Sequence, residues 1–177
     1  MPATLAPTNE KCTATAVDRR AGKYLIFGLG REEFGFRVVQ VREIMGLQDI
    51  TAIPHAPVHI KGVINLRGKI IPVMDLRRKF GLAEVEYGER SCIIVAQLRC
   101  RAGSTLMGIV VDGVAEVVNI ATDDIEDTPR FGEGAASPYL LGMAKIKGKV
   151  KILLDVDEML SDQEFPGLES ALLGRNA

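Results

Sequence analysis

The sequence predicts a mainly β protein: two small, similar subdomains packed as one unit, with a few short helices. Three observations carry this. Short apolar runs are broken repeatedly by glycine, helical periodicity is scarce, and the order of motifs in the first half recurs in the second. Closely spaced runs of about five apolar residues bounded by turn residues indicate a barrel or sandwich.

Tyr24-Leu25-Ile26-Phe27 and Phe34-Gly35-Phe36 read as two strands around a polar turn over residues 28–33. Residues 62–66 and 69–74 flank Arg67-Gly68. This predicts a hairpin, because glycine accepts the positive φ that a tight turn needs. Pro72 lacks an N–H, so the second of these strands is expected at an edge of its sheet there. Cys92 to Leu98 and Leu106 to Val111 predict another pair, joined by a loop over 99–105 that looks longer than a minimal turn. Lys145-Ile146 and Val150 to Leu154 predict a last hairpin around Lys147-Gly148-Lys149. Asp75 to Phe80 and Asp155 to Leu160 suit short helices, each opened by an aspartate cap. Asp123-Asp124 suits one more turn, and the segment 53–60, with two prolines, reads as a connector.

The repeat is the more informative signal. Val41-Arg42-Glu43-Ile44, Asp49-Ile50, Pro54, Gly62, Arg67-Gly68-Lys69 and Asp75-Leu76 are followed by Val114-Ala115-Glu116-Val117, Asp124-Ile125, Pro129, Gly142, Lys147-Gly148-Lys149 and Asp155-Val156. The offset drifts from 73 residues at Val41 and Val114 to 80 at Asp75 and Asp155. Kept order with drifting spacing is what insertions in loops produce. Halves of about 70 residues are marginal as independent cores, so the two should pack together, with a seam where a partner would lie.

Composition narrows the function. The chain has 177 residues, 47% hydrophobic and 25% charged, with a net charge of −1. Without a basic surplus, a phosphate-tracking nucleic-acid surface is not expected. Aromatics are 5% with no Trp, which argues against base-stacking platforms. Cys12, Cys92 and Cys100 form no C-x-x-C pair and read as reduced thiols of a cytoplasmic protein, Cys92 in the core. No apolar stretch reaches the roughly 18 residues of a membrane span, so no direct membrane insertion is expected. Residues 1–22 read as a flexible leader, 23–160 as the folded domain and 161–177 as a loosely held tail.

The run Gly62-Val63-Ile64-Asn65-Leu66-Arg67-Gly68, then Ile71-Pro72-Val73-Met74-Asp75-Leu76, resembles the CheW family of chemotaxis coupling proteins. So do Phe34-Gly35-Phe36 leading to Val41-Arg42-Glu43-Ile44, and Ile109-Val110-Val111-Asp112-Gly113-Val114. The resemblance runs from about Tyr24 to about Leu160. It implies two interleaved SH3-like β-barrel subdomains and a non-enzymatic adaptor. Such an adaptor couples the cytoplasmic hairpin tips of transmembrane chemoreceptors to the regulatory domain of the histidine kinase CheA, in arrays at the inner face of the membrane. It further implies that Val41, Glu43 and Ile44 lie on a receptor-facing groove between the subdomains, with Arg67 organising that surface. It leaves the kinase-binding residues unassigned.

Plainer readings stand beside these. Arg67 is also an ordinary solvated turn residue, and Val41 and Ile44 are also half-buried strand residues. His55 and His59 stand four apart, but Pro54 and Pro57 break the helix that would align them, so no metal site is expected. Gly28-Leu29-Gly30 lacks the third glycine of a dinucleotide loop, so no cofactor site is expected. Asp75 and Asp155 recur as caps, and no catalytic constellation emerges. The alternative to a chemotaxis coupler is an SH3-type peptide-binding adaptor outside chemotaxis, which would need aromatic side chains lining a groove. A small hydrolase or metal-dependent enzyme is a third, weaker reading.

Overall fold

The computed structural model describes residues 20–100, 103–127 and 139–159. The predicted leader and tail fall almost wholly outside them. Within the leader's last residues, the Arg20 guanidinium donates to the Leu141 carbonyl at 3.0 Å, and strand β1 already begins at Gly22.

Eleven strands occur in the described residues. They are β1 (Gly22–Leu29), β2 (Glu32–Arg37), β3 (Val41–Gly46), β4 (Ile60–Leu66), β5 (Lys69–Asp75), β6 (Cys92–Cys100), β7 (Gly103–Val111), β8 (Gly113–Ile120), β9 (Ile125–Glu126), β10 (Leu140–Ile146) and β11 (Lys149–Leu154). They form two sheets, ordered β3-β6-β7-β5-β4 and β8-β1-β2-β11-β10-β9. Each sheet curls into a small barrel. In the five-stranded one, the chain beyond β3 bridges back to β4 through Thr51 and Val63. In the six-stranded one, β9 follows β8 yet pairs with β10 at the opposite edge.

The two barrels are built alike. A hairpin forms the centre of each, β6–β7 in the first and β1–β2 in the second. A single strand adds antiparallel on one side, β3 on β6 and β8 on β1. A second hairpin adds parallel on the other side, with β5 on β7 and β11 on β2. The central hairpins are exchanged: each half of the chain supplies the central hairpin of the barrel that the other half completes.

Local chemistry explains the pieces. Arg67-Gly68 and Lys147-Gly148 both take positive φ, at 52° and 87° and at 51° and 78°. This is the two-residue turn whose twist matches its flanking strands. The Gly68 N–H donates to the Asn65 side chain at 2.8 Å. Asp75 caps helix Leu76–Lys79 by accepting from the Arg77 N–H at 2.9 Å, and Asp155 caps helix Val156–Met159 by accepting from the Asp157 N–H at 3.0 Å. The backbone N–H groups of Asp75 and Asp155 donate to the His59 and Tyr139 carbonyls at 2.9 and 2.8 Å. Thr122–Asp124 forms a short 3-10 turn, and the proline-rich segment 53–60 forms no helix.

Two expectations need adjustment. β5 is not the edge strand expected from Pro72 but lies between β7 and β4; the proline is accommodated because the ladder with β7 starts only at Val73, so no N–H is needed on that side at Pro72. The loop expected over 99–105 is mostly strand: Leu98, Arg99 and Cys100 pair with Thr105, Ser104 and Gly103. Alternating side chains there let the ladder run on where composition alone suggested a loop.

Burial falls into three clusters. Ile64, Ile71, Val73, Ile93, Val95 and Val110 fill the first barrel. Tyr24, Ile26, Ile120, Ile125, Ala144 and Leu153 fill the second. The largest cluster lies between them and draws on the outer faces of both central hairpins, including Leu25, Phe27 and Phe36 from one and Ile94, Met107 and Ile109 from the other. Phe27 packs against Phe36 with ring centroids 4.6 Å apart. Neither barrel could fill its hairpin's second face alone, so the halves fold as one unit.

Candidate functional site

The resemblance pointed to Val41, Glu43, Ile44 and Arg67. The structure brings Glu43 and Arg67 together and divides the others from them. A bulge between Val41 and Glu43 leaves Arg42 without a direct partner on β6, which resets the alternation of β3. Beyond the bulge, Glu43 pairs with Val95, whose side chain belongs to the first barrel's interior. Ile44 pairs with Ile94, whose side chain belongs to the core between the barrels. Glu43 therefore turns to the mouth of the barrel, and Ile44 to the margin of the seam.

At the barrel mouth, Arg67 Nη2 donates to Glu43 Oε2 at 2.7 Å. The Arg67 side chain is 79% exposed and that of Glu43 23%. An ion pair this open contributes only about 0.2–1 kcal/mol to folding. It holds a guanidinium at a fixed place on the surface, with donors left for a partner's carboxylate or carbonyl groups. Arg67 also sits at φ 52°, a conformation that disfavours side chains with a Cβ.

At the seam margin, Ile44 is 46% exposed. Val41 pairs with Ala96 and packs partly into the seam core, so it anchors the strand more than it faces solvent. The seam itself is closed by that core, and what stays open is its edge. On the β4–β5 hairpin, next to the Arg67 turn, Ile70 is 69% exposed. Sequence reasoning did not single out Ile70, although its exposure follows from its place beside the turn.

The second barrel repeats the geometry with different chemistry. Lys147 stands where the first has Arg67, and Glu116 where it has Glu43, but among the described residues no ion pair joins them. Val117 and Val150, the counterparts of Ile44 and Ile70, are exposed aliphatics.

A second polar cluster ties the barrels together. Arg77 Nε donates to Asp112 Oδ1 at 2.9 Å, and a further bond joins Nη2 to Oδ2. The Gly30 N–H donates to Asp112 at 2.8 Å, and the Asp112 N–H donates to the Gly28 carbonyl at 3.0 Å. One carboxylate thus joins the β1–β2 turn, the β7–β8 crossover and the first helix. Partial burial pushes the Asp112 carboxyl up, but the Arg77 and Gly30 hydrogen bonds and the Arg77 charge outweigh it and hold it below the usual range. Nearby, burial pushes the Tyr87 phenol well up, reinforced by the charge of Asp75 and the 3.1 Å hydrogen bond to it.

Burial likewise raises the Cys92 thiol against a weaker opposing backbone hydrogen bond, so it packs as a neutral side chain in the seam. His55 takes φ 62° in its connecting segment, and among the described residues no three His, Cys, Asp or Glu side chains gather to hold a metal. No helix among the described residues is long and apolar enough to cross a membrane. Phe27, Phe34, Phe80 and Tyr139 stack on one another at 6.0, 5.3 and 5.9 Å in and beside the seam core. There they pack in and against the core between the barrels.

Two barrels locked through a common core, with an ion-paired turn at one mouth and aliphatics turned to solvent, define a protein of the twin-barrel class. Comparison with known proteins gives the family. The model of the CheW-like domain matches residues 23–164. The chemotaxis protein CheW of Klebsiella aerogenes is 40% identical over 143 residues, 81% of this chain and 84% of the relative. That of Rhizobium meliloti is 34% identical, over 81% and 90%. The crystal structure of the scaffolding protein TtCheW from Thermoanaerobacter tengcongensis superposes with a TM-score of 0.73 at 32% identity, covering 84% of this chain and 98% of that one. The chain belongs to the CheW-like family, and its barrels are SH3-like. Membership makes it a chemotaxis scaffold protein, in a family of adaptors and not of enzymes.

Proposed function

We propose that this chain couples the cytoplasmic hairpin tips of transmembrane chemoreceptors to the histidine kinase CheA, and that it is cytoplasmic and recruited to receptor arrays at the inner face of the membrane. The receptor contact is the surface on both sides of strand β3, with Glu43 and Arg67 at the barrel mouth, Ile44 at the seam margin and Val41 anchoring the strand. The observation that carries this reading is the 2.7 Å ion pair between Arg67 and Glu43 at the mouth of a barrel whose β3 edge and β4–β5 turn also expose Ile44 and Ile70. A helical bundle offers aliphatic ridges and polar side chains together, and this surface presents both complements. Burying the aliphatics supplies roughly 25 cal/mol per Å² before ordering costs, and the charges select orientation and partner more than raw affinity. The adaptor then acts by geometry, because holding kinase and receptor together raises their effective concentration.

The test is co-sedimentation with receptor cytoplasmic fragments and CheA, with kinase activity read in the same tubes. Receptor-dependent control of the kinase should appear on adding this protein. Co-sedimentation with neither partner would overturn the proposal.

A further inference from the structure

We propose that the ion pair between Glu33 and Lys151 selects which central hairpin closes which barrel. Lys151 is buried, its side chain 6% exposed, and its ammonium meets the Glu33 carboxylate at 2.6 Å. The two residues stand opposite one another in the parallel ladder of β2 and β11. Among the described residues, Lys151 is the one buried Lys or Arg.

The internal symmetry shows what the pair replaces. Gly35 opposes Leu153 in the second barrel, and Gly108 opposes Val73 in the first. At both glycines an added methyl group would come within 3.3 Å of that opposing side chain, so the two sites correspond. Counting two residues back along each strand sets Glu33 against Leu106, and Lys151 against Ile71. In the first barrel both positions are aliphatic: Ile71 is buried in its core and Leu106 packs against it. One barrel carries a charge pair within its parallel ladder, and the other carries two hydrocarbons at the matching positions, just beyond the start of its ladder at Val73.

The exchange of hairpins makes this difference consequential. Only residues 38–40 separate β2 from β3, and only Asp112 separates β7 from β8. The two hairpins share a shape, so a chain whose hairpins closed the barrels of their own halves is the natural competitor. In that arrangement Lys151 would face Leu106, and Glu33 would face Ile71. Each barrel would then hold a charge against hydrocarbon, and a buried ammonium without its counter-ion is strongly disfavoured. A buried pair offers little stability over well-packed aliphatics, so its value lies in discrimination. The alternating pattern of the strands cannot supply this, because it is the same in both hairpins.

The experiment replaces the pair with the residues of the sister barrel, in the full chain, as Glu33→Leu with Lys151→Ile. The variant should fold and melt near the parent, yet show a second set of amide resonances and an extra slow refolding phase. The charge-exchanged variant, Glu33→Lys with Lys151→Glu, should return to one set of resonances. A hydrocarbon variant with one set of resonances and the parent's refolding kinetics would overturn the proposal. So would its failure to fold, because the pair would then be holding the barrel up instead of choosing its hairpin. A charge-exchanged variant as heterogeneous as the hydrocarbon one would overturn it as well.

Discussion

Arg67, at the tip of the β4–β5 turn, reaches Glu43 on β3 at 2.7 Å, and β3 and β4 are the two edges of the first barrel's sheet. The ion pair therefore crosses the line along which the sheet closes. It places a cation at the barrel mouth although the two residues stand 24 apart in the chain.

Reversing that cation separates binding from folding. Arg67→Glu sets two carboxylates near each other at an open site, so the cost to stability should stay below about 1 kcal/mol. Receptor co-sedimentation should fall sharply. A variant that melts like the parent and still couples receptor to kinase would place the contact elsewhere.

Ile44 tests the apolar part of the proposed contact, on the seam side of β3. At 46% exposed it adds little to the core, so Ile44→Ser should shift stability by less than about 0.5 kcal/mol. Receptor binding should weaken at least several-fold, read by titration of receptor fragments against both proteins.

The turn residues predict similar effects on stability but different effects on binding in the two barrels. Lys147 holds φ 51°, which asparagine tolerates better than lysine. Lys147→Asn should therefore raise stability by about 0.5–1 kcal/mol in a denaturant titration and leave receptor binding unchanged. Arg67→Asn should bring a similar gain in stability together with a loss of receptor binding.

Gly62 tests the barrel closure. A Cβ there would lie 2.1 Å from the Thr51 carbonyl oxygen, whose own N–H and carbonyl pair with Val63. Gly62→Ala must break that bridge, at a cost above about 2 kcal/mol. At Gly142, its counterpart, the corresponding distance to the Glu126 carbonyl oxygen is 2.8 Å, so Gly142→Ala should cost less. Thermal melts of the two variants rank them.

Asp112 gives the pH dependence. Its carboxyl is held low in the folded chain, so its contribution is fully present above the ordinary aspartate pKa of about 3.9. It is lost as pH falls through the lowered folded value, where the group takes up a proton. Asp112→Asn should therefore melt well below the parent at pH 7, with the gap narrowing as pH approaches about 3. An equal gap at both pH values would show that the charge of Asp112 is not what stabilises the clamp.

The sequence by itself determined the local pieces: the Arg67-Gly68 and Lys147-Gly148 turns, the Asp75 and Asp155 caps, the run of short strands, the repeat and the family. These depend on preferences of a residue and its near neighbours, such as a glycine's tolerance of positive φ or a carboxylate's reach to an N–H two residues on. Only the tertiary structure decided that the central hairpins are exchanged, that the seam is filled by the core and open only at its edge, and that Glu43 and Ile44 face opposite ways. It alone brought Arg67 to Glu43, Arg77 to Asp112 and Lys151 to Glu33. A strand's alternation fixes which of its faces is apolar but is silent on which other strand it will meet. That choice is made by packing and charge between residues far apart in the chain, such as the 118 positions that separate Glu33 from Lys151.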